Sequence, residues 1–259
     1  MQNTALITGA SSGIGRELAR LHAEKGGDLV LVARRADRLD ELKTELENAH
    51  GVSVLVLAED FAEPAAAERI FTRVAGEGID LDVLINNAGF GARSLFHEQD
   101  WNEVQAMIQV NAVALAALTH LFLPGFVARN RGRIMNVTST AALQPGPLQA
   151  IYFASKAFGA YLSNALVEEL RDTGISVTNF MPTGTATEFA AISGMADTRL
   201  FRNTASPRRV AEDGYEAMMR GDMDAFGGMR PVRRFQYWLV SKLPKRTMLR
   251  IVRQAQEAE

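Results

Sequence analysis

Two kinds of hydrophobic segment alternate along the chain. Short, nearly continuous apolar runs such as Val52 to Leu57 are typical of strands buried on both faces of a parallel sheet. Longer segments with apolar residues three and four positions apart are typical of amphipathic helices. The strands are predicted at 4–8, 28–33, 52–57, 82–86, 132–137, 175–181 and 223–226, and the helices at 14–25, 36–49, 63–75, 99–128, 151–172 and 207–220. This alternation predicts an α/β fold, a doubly wound parallel sheet of about seven strands with helices on both faces.

A glycine-rich turn links the first predicted strand to the first helix. Three glycines follow Thr8, and because they lack Cβ atoms they let the backbone approach a pyrophosphate closely. The helix that starts near Gly13 directs its free N–H groups and its positive dipole end at the same anion. We therefore predict a Rossmann-type dinucleotide site rather than a purely structural turn. Its predicted contacts are Gly9, Ser11, Ser12, Gly13, Ile14 and Gly15.

The end of the second strand indicates which dinucleotide binds. An NAD site usually carries an acidic residue about twenty positions after the turn, where it bonds the ribose 2′-OH. Here that place holds Arg34 and Arg35, and a guanidinium group pairs well with a 2′-phosphate. We predict NADP(H), with Arg34 as the main contact and Arg35, Arg16 and Ser11 as auxiliary ones. The alternative is a pair of solvated loop charges, which fits Arg35 better than Arg34.

A tyrosine and a lysine four positions apart supply candidate redox chemistry. Tyr152 and Lys156 share one face of the helix predicted over 151–172. A neighbouring ammonium favours the phenolate, so we expect Lys156 to lower the pKa of Tyr152. Such a phenol protonates a carbonyl oxygen as hydride arrives, and in reverse it deprotonates an alcohol. A hydroxyl after the fifth strand would polarise the substrate oxygen, but position alone does not choose among Thr138, Ser139 and Thr140.

Together these motifs resemble the short-chain dehydrogenase/reductase family, from the first strand to about residue 190. They read Thr8-Gly-Ala-Ser-Ser-Gly-Ile-Gly15, Asn86-Asn-Ala-Gly89, Asn111, Ser139, Tyr152-x-x-x-Lys156 and Pro182-Thr-Gly184. The resemblance implies that Tyr152 is the general acid/base and that Ser139 polarises the substrate oxygen. It also implies that Lys156 lowers the phenol pKa and binds ribose, while Asn111 holds a relay water. An alternative for Asn111 is a simple bond to a backbone group.

The resemblance implies further cofactor contacts beyond the turn. Asp60 would touch the adenine, although it is also placed to cap a helix that begins near Glu63. One departure weakens the assignment around the nicotinamide, because the family's Pro-Gly pair after the sixth strand is one residue longer here. Besides Tyr152 and Lys156, the implied contacts are Asn87, Ala88 and Gly89 on the adenosine side and Pro182, Thr183, Gly184 and Thr187 around the nicotinamide.

Composition narrows the classes of function. The chain has 259 residues, 47% of them hydrophobic, and a net charge of −2, which fits one α/β domain and gives no reason to expect nucleic acid binding. It contains no cysteine, and its four histidines lack ligand spacing, so no metal site is expected. The first strand begins close to Met1 and no apolar run reaches membrane-span length, so we expect a cytoplasmic protein. The resemblance adds a homo-oligomer, a dimer or tetramer.

Apolar residues flank the predicted catalytic helix. The loop 143–148 precedes it, and a substrate lid is expected at about 185–206. Walls with few charges favour a hydrophobic ketone, aldehyde or alcohol as substrate, although the same side chains are also suited to plain core packing. The lid residues concerned are Phe189, Ile192, Met195, Leu200 and Phe201.

The C-terminal stretch differs in charge from the rest. Between Ala225 and Gln256 it carries eight basic residues and no acidic one, interleaved with aromatic and aliphatic side chains. We therefore divide the chain into a catalytic domain over 1–229 and a basic amphipathic helical extension over 230–259. The sequence leaves three positions open for this extension. It packs against the domain or a second subunit, it lies on an anionic membrane surface, or it covers the substrate pocket. Membrane contact would favour an acyl or steroid ketone as substrate.

Three classes of function follow. The first is an NADP(H)-dependent oxidoreductase that interconverts a carbonyl and an alcohol. The second is a sensor that binds NADP(H) without turnover, which an intact Ser139, Tyr152 and Lys156 argues against. The third is a membrane-peripheral, lipid-directed reductase in which the tail dominates.

Overall fold

A seven-stranded parallel sheet forms the centre of the computed structural model, which describes residues 3–198, 201, 204–229 and 243–257. Its order is β3-β2-β1-β4-β5-β6-β7, and every neighbouring pair runs parallel. The predicted doubly wound sheet is confirmed. The strands are β1 (Thr4–Thr8), β2 (Asp28–Ala33), β3 (Val54–Ala58), β4 (Val83–Asn86), β5 (Gly132–Val137), β6 (Ile175–Pro182) and β7 (Asp224–Gly227).

Helices cover both faces of this sheet. Residues of α1, α2 and α8 bury one face, and residues of α3, α5 and α6 bury the other. This double burial explains why the strands are continuous apolar runs. The helices are α1 (Gly13–Glu24), α2 (Ala36–His50), α3 (Ala66–Gly76), α4 (Trp101–Ile108), α5 (Ala114–Ala128), α6 (Ala150–Glu169), α7 (Phe189–Ile192), α8 (Pro207–Arg220) and α9 (Lys245–Gln256).

The topology fixes where a ligand binds. The chain leaves β1 toward β2 on one side and later returns to β4 on the other side, so β1 and β4 are neighbours. Helices diverge from the carboxyl ends of these two strands and leave a crevice between them. Apart from Asn111, which lies between α4 and α5, the site residues predicted from the sequence lie at or just after the carboxyl ends of strands or in the first two turns of the helices that follow.

Two helices differ from their prediction. The third helix begins at Ala66 rather than at residue 63, because Pro64 disfavours helical backbone at Glu63 and Ala65 adopts a left-handed conformation with φ 60°. The single helix predicted over 99–128 consists of α4 and α5 joined by one π-helical turn, Gln109–Val113. Such π turns occur often at functional sites. This one carries Asn111 at its centre.

A row of polar side chains crosses the middle of the sheet. Asn86, Asn136 and Asn179 lie in register on β4, β5 and β6. Asn86 donates to Asn136 Oδ1 at 2.9 Å, and Asn136 donates to Ser163 Oγ at 2.9 Å. Asn179 accepts from Thr138 Oγ1 at 2.6 Å. These bonds between buried groups help to fix the strand register and reduce the cost of burying the amides.

One helix in the described part of the chain, spanning Trp101–Ala128, has the length and apolar composition of a membrane span. Its inward side chains Leu118, Phe122 and Phe126 belong to the core between α3 and the sheet. The apolar composition therefore reflects burial in the domain. The outward residues Trp101 and Val113 remain exposed.

A buried histidine makes the stability of this fold depend on pH. The His22 ring is fully buried and lies 3.0 Å from the Tyr215 hydroxyl and 2.9 Å from the Asn3 carbonyl oxygen. Burial lowers the pKa of His22 below its usual value. The folded state thus binds fewer protons than the unfolded chain, and the free energy of unfolding decreases as pH falls below about 6.5, by at most about 1.4 kcal/mol per pH unit.

We expect His22→Gln to remove this component of the pH dependence. Urea unfolding between pH 5 and 7.5 measures it. The matched control is His120→Gln, which changes an exposed histidine and should keep the wild-type slope. A wild-type slope in His22→Gln would show that other groups cause the acid sensitivity.

Candidate active site

A single cavity of about 820 Å³ opens at the carboxyl ends of the strands. It brings together residues that are far apart in sequence, from the glycine turn after β1 to the C-terminal helix α9. Three predicted residues, Ser11, Gly15 and Asn111, are not part of its wall. The predicted site residues that line it are Gly9, Ser12, Gly13, Ile14, Arg34, Asp60, Asn87, Ala88, Gly89, Ser139, Tyr152, Lys156, Pro182, Thr183, Gly184 and Thr187.

The glycine turn is shaped by positive backbone angles and close packing. Gly9 and Gly13 have φ values of 68° and 56°, which residues other than glycine rarely adopt. A Cβ atom on Gly13 would lie 2.9 Å from Thr187 Cγ2, so the segment after β6 covers the start of α1. Gly15 has a different role, because a Cβ atom there would collide with the Gly9 carbonyl oxygen. It lets the turn close on itself, and the first N–H groups of α1 then face the cavity.

Thr8 and Asn87 join the ends of β1 and β4. The Thr8 hydroxyl oxygen accepts hydrogen bonds from the backbone N–H groups of Asn87 and Ala88, both at 2.9 Å. Asn87 Nδ2 donates to the Thr8 carbonyl oxygen at 2.8 Å. The Asn87 side chain thus joins the ends of the two strands. Ala88 and Gly89, which follow it, line the cavity.

The two arginines after β2 have different surroundings. Arg35 donates to the hydroxyls of Ser11 and Ser12 at 3.1 and 3.0 Å and pairs with Glu188 at 2.9 Å. The expectation that Arg35 is the solvated loop charge is therefore wrong, since it bridges the turn and the segment after β6. Arg34 is 73% exposed, and its ion-pair partner Asp60 is 3.9 Å away. Arg34 is the freer guanidinium for a phosphate.

Asp60 also lies at the cavity wall. Its Oδ1 accepts from the Ala62 N–H at 2.9 Å, and the Glu63 N–H donates to its carbonyl oxygen at 3.0 Å. The helix begins only at Ala66, so Asp60 stabilises a turn and does not cap α3. The predicted contact with adenine stays a prediction.

Ser139, Tyr152 and Lys156 meet at the deeper end of the cavity. Ser139 lines the cavity beside Tyr152 and its side chain acts to lower the pKa of that phenol, whereas the Thr138 hydroxyl is bonded to Asn179 and to the Phe180 carbonyl oxygen, so Ser139 is favoured over Thr138. The Lys156 ammonium donates to the Val137 carbonyl oxygen at 3.0 Å and lies 5.8 Å from the centre of the Tyr152 ring. All three line one wall.

Burial controls the protonation of this group. It raises the pKa of Tyr152 to about 12, against the opposing effect of the Ser139 hydrogen bond, and it lowers the pKa of Lys156 to about 8. The expectation that Lys156 lowers the phenol pKa toward neutrality is therefore wrong for this arrangement, because desolvation has the largest effect on the phenol. At pH 7 the site holds a neutral phenol, which is the form that donates a proton.

Asn111 acts on the backbone beside the site. Its Oδ1 accepts from the Phe90 N–H at 3.0 Å, and its Nδ2 donates to the Phe90 carbonyl oxygen at 2.8 Å and to Ser155 Oγ at 3.1 Å. A Cβ atom on Gly89 would lie 3.0 Å from Asn111 Oδ1 and 3.1 Å from Lys156 Nζ. Asn111 and Lys156 thus approach each other across Gly89. The described contacts match the backbone-bonded alternative, and a relay through a water stays a prediction.

Beyond Tyr152 the walls become apolar. Phe189 packs on the Tyr152 ring at 5.3 Å and on Phe201 at 6.3 Å between ring centres. Of the predicted lid residues, Phe189, Ile192, Met195 and Phe201 line the cavity, whereas Leu200 lies outside the described residues. A bridge between Thr185 and Ala205 joins the two ends of this segment. Of the loop 143–148, only Gln144 reaches the cavity wall.

The helix α9 closes the apolar end, which is one of the positions that the sequence left open for the basic extension. Met248 and Val252 are buried in one cluster with Phe153 and Tyr152, and Ile251, Val252, Ala255 and Gln256 line the cavity. The spacing of Met248, Val252 and Gln256 at four-residue intervals is a signal for the buried face of this helix. It does not reveal which surface the helix covers.

Comparison with known proteins agrees with this geometry. The family model described as short chain dehydrogenase matches residues 3–196. The chain belongs to the short-chain dehydrogenase/reductase family. It is therefore an oxidoreductase that acts on CH–OH groups, as predicted.

Individual relatives extend the comparison. A protein of Anas platyrhynchos named very-long-chain 3-oxoacyl-CoA reductase is 31% identical over 96% of this chain and 78% of its own length. A short-chain dehydrogenase from Sphingobium yanoikuyae in complex with NADPH is 32% identical and covers 99% of both chains with a TM-score of 0.83. A bulky-bulky ketone specific alcohol dehydrogenase from Comamonas testosteroni is 27% identical over 99% of this chain and 97% of its own, with a TM-score of 0.79. The chain spans 52–78% of the lengths of the curated relatives of the first kind.

We expect Tyr152→Phe to abolish turnover without weakening cofactor binding. The phenylalanine keeps the ring packed against Phe189 but removes the proton donor, so kcat should fall by at least about 100-fold. NADPH oxidation measures the first effect, and a fluorescence titration with NADPH measures the second.

Tyr161→Phe is the matched control, because Tyr161 lies on the same helix and is 78% exposed. It should leave both quantities unchanged. Normal turnover in Tyr152→Phe would remove this residue from the proposed chemistry.

Proposed function

We propose that this protein is an NADP(H)-dependent reductase of hydrophobic ketones or aldehydes, and in the reverse direction an alcohol dehydrogenase. The carrying observation is that Ser139, Tyr152 and Lys156 line one cavity together with a glycine-rich dinucleotide crevice and an apolar compartment. Such a position brings a carbonyl group and a nicotinamide ring to the same phenol.

The described residues fit a phosphorylated dinucleotide. Gly9 and Gly13, both at positive φ, leave a cradle without side chains, and α1 presents N–H groups there to a pyrophosphate. At the cavity wall, the Arg34 guanidinium is largely exposed, and its ion-pair partner Asp60 is 3.9 Å away. NADP(H) is accordingly the cofactor, as the sequence predicts, and the Sphingobium neighbour carries NADPH. When bound, the reduced nicotinamide supplies a hydride to the carbonyl carbon.

The side chains of the site manage the proton in this reaction. Tyr152, neutral at pH 7, donates its proton to the carbonyl oxygen as that oxygen gains charge. Ser139 lines the cavity with Tyr152, and its hydroxyl is the group that we assign to bonding the same substrate oxygen. The Lys156 ammonium stabilises the phenolate that remains.

Substrate class follows from the walls beyond Tyr152. Aromatic and aliphatic residues of the segment after β6 and of α9 line this end, and burying such surface contributes about 25 cal/mol per Å² of apolar substrate. Extended or bulky ketones, including acyl and steroid ketones, use this wall most fully. The names of the Anas and Comamonas relatives point to the same kind of substrate.

The expected result of a substrate screen is a kcat/KM that increases with the apolar size of the ketone. NADPH oxidation is followed over ketones and aldehydes graded by chain length and ring number, and each is repeated with NADH.

We expect Arg34→Ala to raise the KM for NADPH about tenfold or more while the KM for NADH changes little, because only NADPH carries the 2′-phosphate.

Arg209→Ala, an exposed arginine of α8 remote from the cavity wall, serves as the control. A preference for small polar carbonyls would contradict the apolar pocket. Equal use of NADH and NADPH by the unmodified protein would contradict the role of Arg34.

A second candidate, peripheral attachment to anionic membranes, is favoured by the outer face of α9. Lys245, Arg246 and Arg250 are exposed, and none has an ion pair with another residue in the described ranges. Beside them Ile251, 40% exposed, and Ile192, 61% exposed, belong to the cavity wall and so mark its opening. A cationic, apolar rim suits a surface of anionic lipid, from which a hydrophobic ketone enters directly.

Vesicle co-sedimentation tests this attachment with the full chain. Binding to vesicles of phosphatidylcholine and phosphatidylglycerol should exceed binding to phosphatidylcholine alone, should weaken with salt, and should fall about tenfold or more in Arg246→Glu/Arg250→Glu. The control Arg73→Glu/Arg171→Glu makes the same charge change at exposed arginines elsewhere. Equal losses in both double variants would indicate a net-charge effect instead of a surface on α9.

The remaining expectations stay predictions. These are the cytoplasmic location, the adenine contact of Asp60, the domain limits and a homo-oligomer. The segment 230–242, which carries part of the predicted basic extension, lies outside the described residues. For a dimer or tetramer, neighbouring exposed side chains on α4, α6 and the π turn offer an apolar face, namely Trp101, Ile108, Val113, Phe158 and Tyr161.

A further inference from the structure

Two glutamine amides interrupt the apolar compartment. Gln256, in the last turn of α9, is completely buried, and its Oε1 and Nε2 have no hydrogen-bond partner among the described residues. Gln149 is 3% exposed, and its Nε2 likewise lacks a partner within the described chain. Both residues belong to the cavity wall. Buried amides in native proteins are nearly always bonded, so unpartnered ones in a binding cavity point to a ligand group.

The two glutamines border the same segment. Gln149 immediately precedes α6 and lies three residues before Tyr152. The Ser94 N–H donates to the carbonyl oxygen of Leu148, the neighbour of Gln149, at 2.9 Å. On the other side of this segment, Arg93 Nη1 donates to the Gln256 carbonyl oxygen at 3.1 Å. Residues 93 and 94 thus connect the backbone just before α6 with the backbone at the end of α9.

Arg93 holds Gln256 in place. Besides the bond to Gln256, its Nε donates to the Gly194 carbonyl oxygen at 2.9 Å. One side chain therefore ties the end of α9 to the segment after α7, whose residues line the cavity. Met248 and Val252, one and two turns earlier on the same face of α9, fix the helix through the buried cluster around Phe153.

We infer that Gln256 and Gln149 form a polar subsite that hydrogen-bonds a second, uncharged oxygen of the substrate, apart from the carbonyl that Tyr152 protonates. This inference rests on the proposed function and narrows it to hydrophobic ketones with an additional hydroxyl, ether, ester or amide oxygen. A neutral amide both donates and accepts, so it pairs with such groups without the charge partner that a carboxylate or phosphate requires.

The subsite selects against substrates that lack the second oxygen. An apolar ketone of equal size leaves the amides unpaired in the closed complex, whereas an oxygenated one satisfies them. The expected preference is about tenfold or more in kcat/KM, which is the usual effect of one such hydrogen bond.

A matched series of ketones tests this inference. The series keeps the length of one apolar ketone and replaces a single methylene by oxygen at successive positions. With unmodified protein and NADPH, one position should exceed the all-carbon ketone about tenfold or more in kcat/KM. Gln256→Leu should abolish that preference while the kcat/KM of the all-carbon ketone stays within about twofold or rises, because leucine fills the space without an amide.

Gln254→Leu is the control, because Gln254 lies on the same helix but is exposed, and it should keep the preference. Equal losses for oxygenated and all-carbon ketones in Gln256→Leu, or an unchanged preference, would overturn the subsite. An unmodified protein that reduces these ketones without any positional preference would overturn it too.

A binding measurement separates this failure from failure of the proposed function. Thermal shifts of the NADP⁺-loaded protein are recorded with the same series. If no ketone is reduced, the proposed function fails, while a stabilisation that depends on the oxygen and is lost in Gln256→Leu still supports the subsite. Absence of such a shift overturns the subsite independently of turnover.

Discussion

The junction between β1 and β4 is the constraint on which the rest of the site depends. These strands separate the two halves of the sheet, and their ends are held together by the Thr8 hydroxyl, which accepts two backbone N–H groups, and by the side chain of Asn87. Gly15 lets the turn close against Gly9 at the same point. Because polar backbone is satisfied there internally, a crevice free of side chains forms where a pyrophosphate fits.

Burial then decides what the catalytic group does. Tyr152 and Lys156 are removed from water, and each is shifted toward its neutral form, the phenol upward and the ammonium downward in pKa. A phenol of high pKa is ready to donate at pH 7, and it needs the nearby ammonium mainly after the proton has left. The neutral phenol is the form that suits the proton-donor role that we propose for Tyr152 in carbonyl reduction.

Local patterns in the sequence predict the sheet, the glycine turn and the Tyr152–Lys156 pair, because each depends on residues close in the chain. The predicted helix boundaries are wrong where the backbone departs from regular helix, as at the left-handed Ala65 and in the π turn around Asn111. The hydrophobic pattern does not reveal either feature. The role of Arg35 depends on Glu188, about 150 residues away, and so requires the fold. The position of α9 over the cavity also requires the fold, because an amphipathic pattern shows that one face of a helix is buried but not which surface buries it.

The helix α9 has two faces of different chemistry. Its inner face supplies Met248, Val252 and Gln256 to the substrate compartment, and its outer face carries Lys245, Arg246 and Arg250. Arg93 connects this helix to the segment after α7 through the Gly194 carbonyl oxygen. Ile251 on α9 and Ile192 on α7 are both exposed and both line the cavity, so these two elements border its apolar opening.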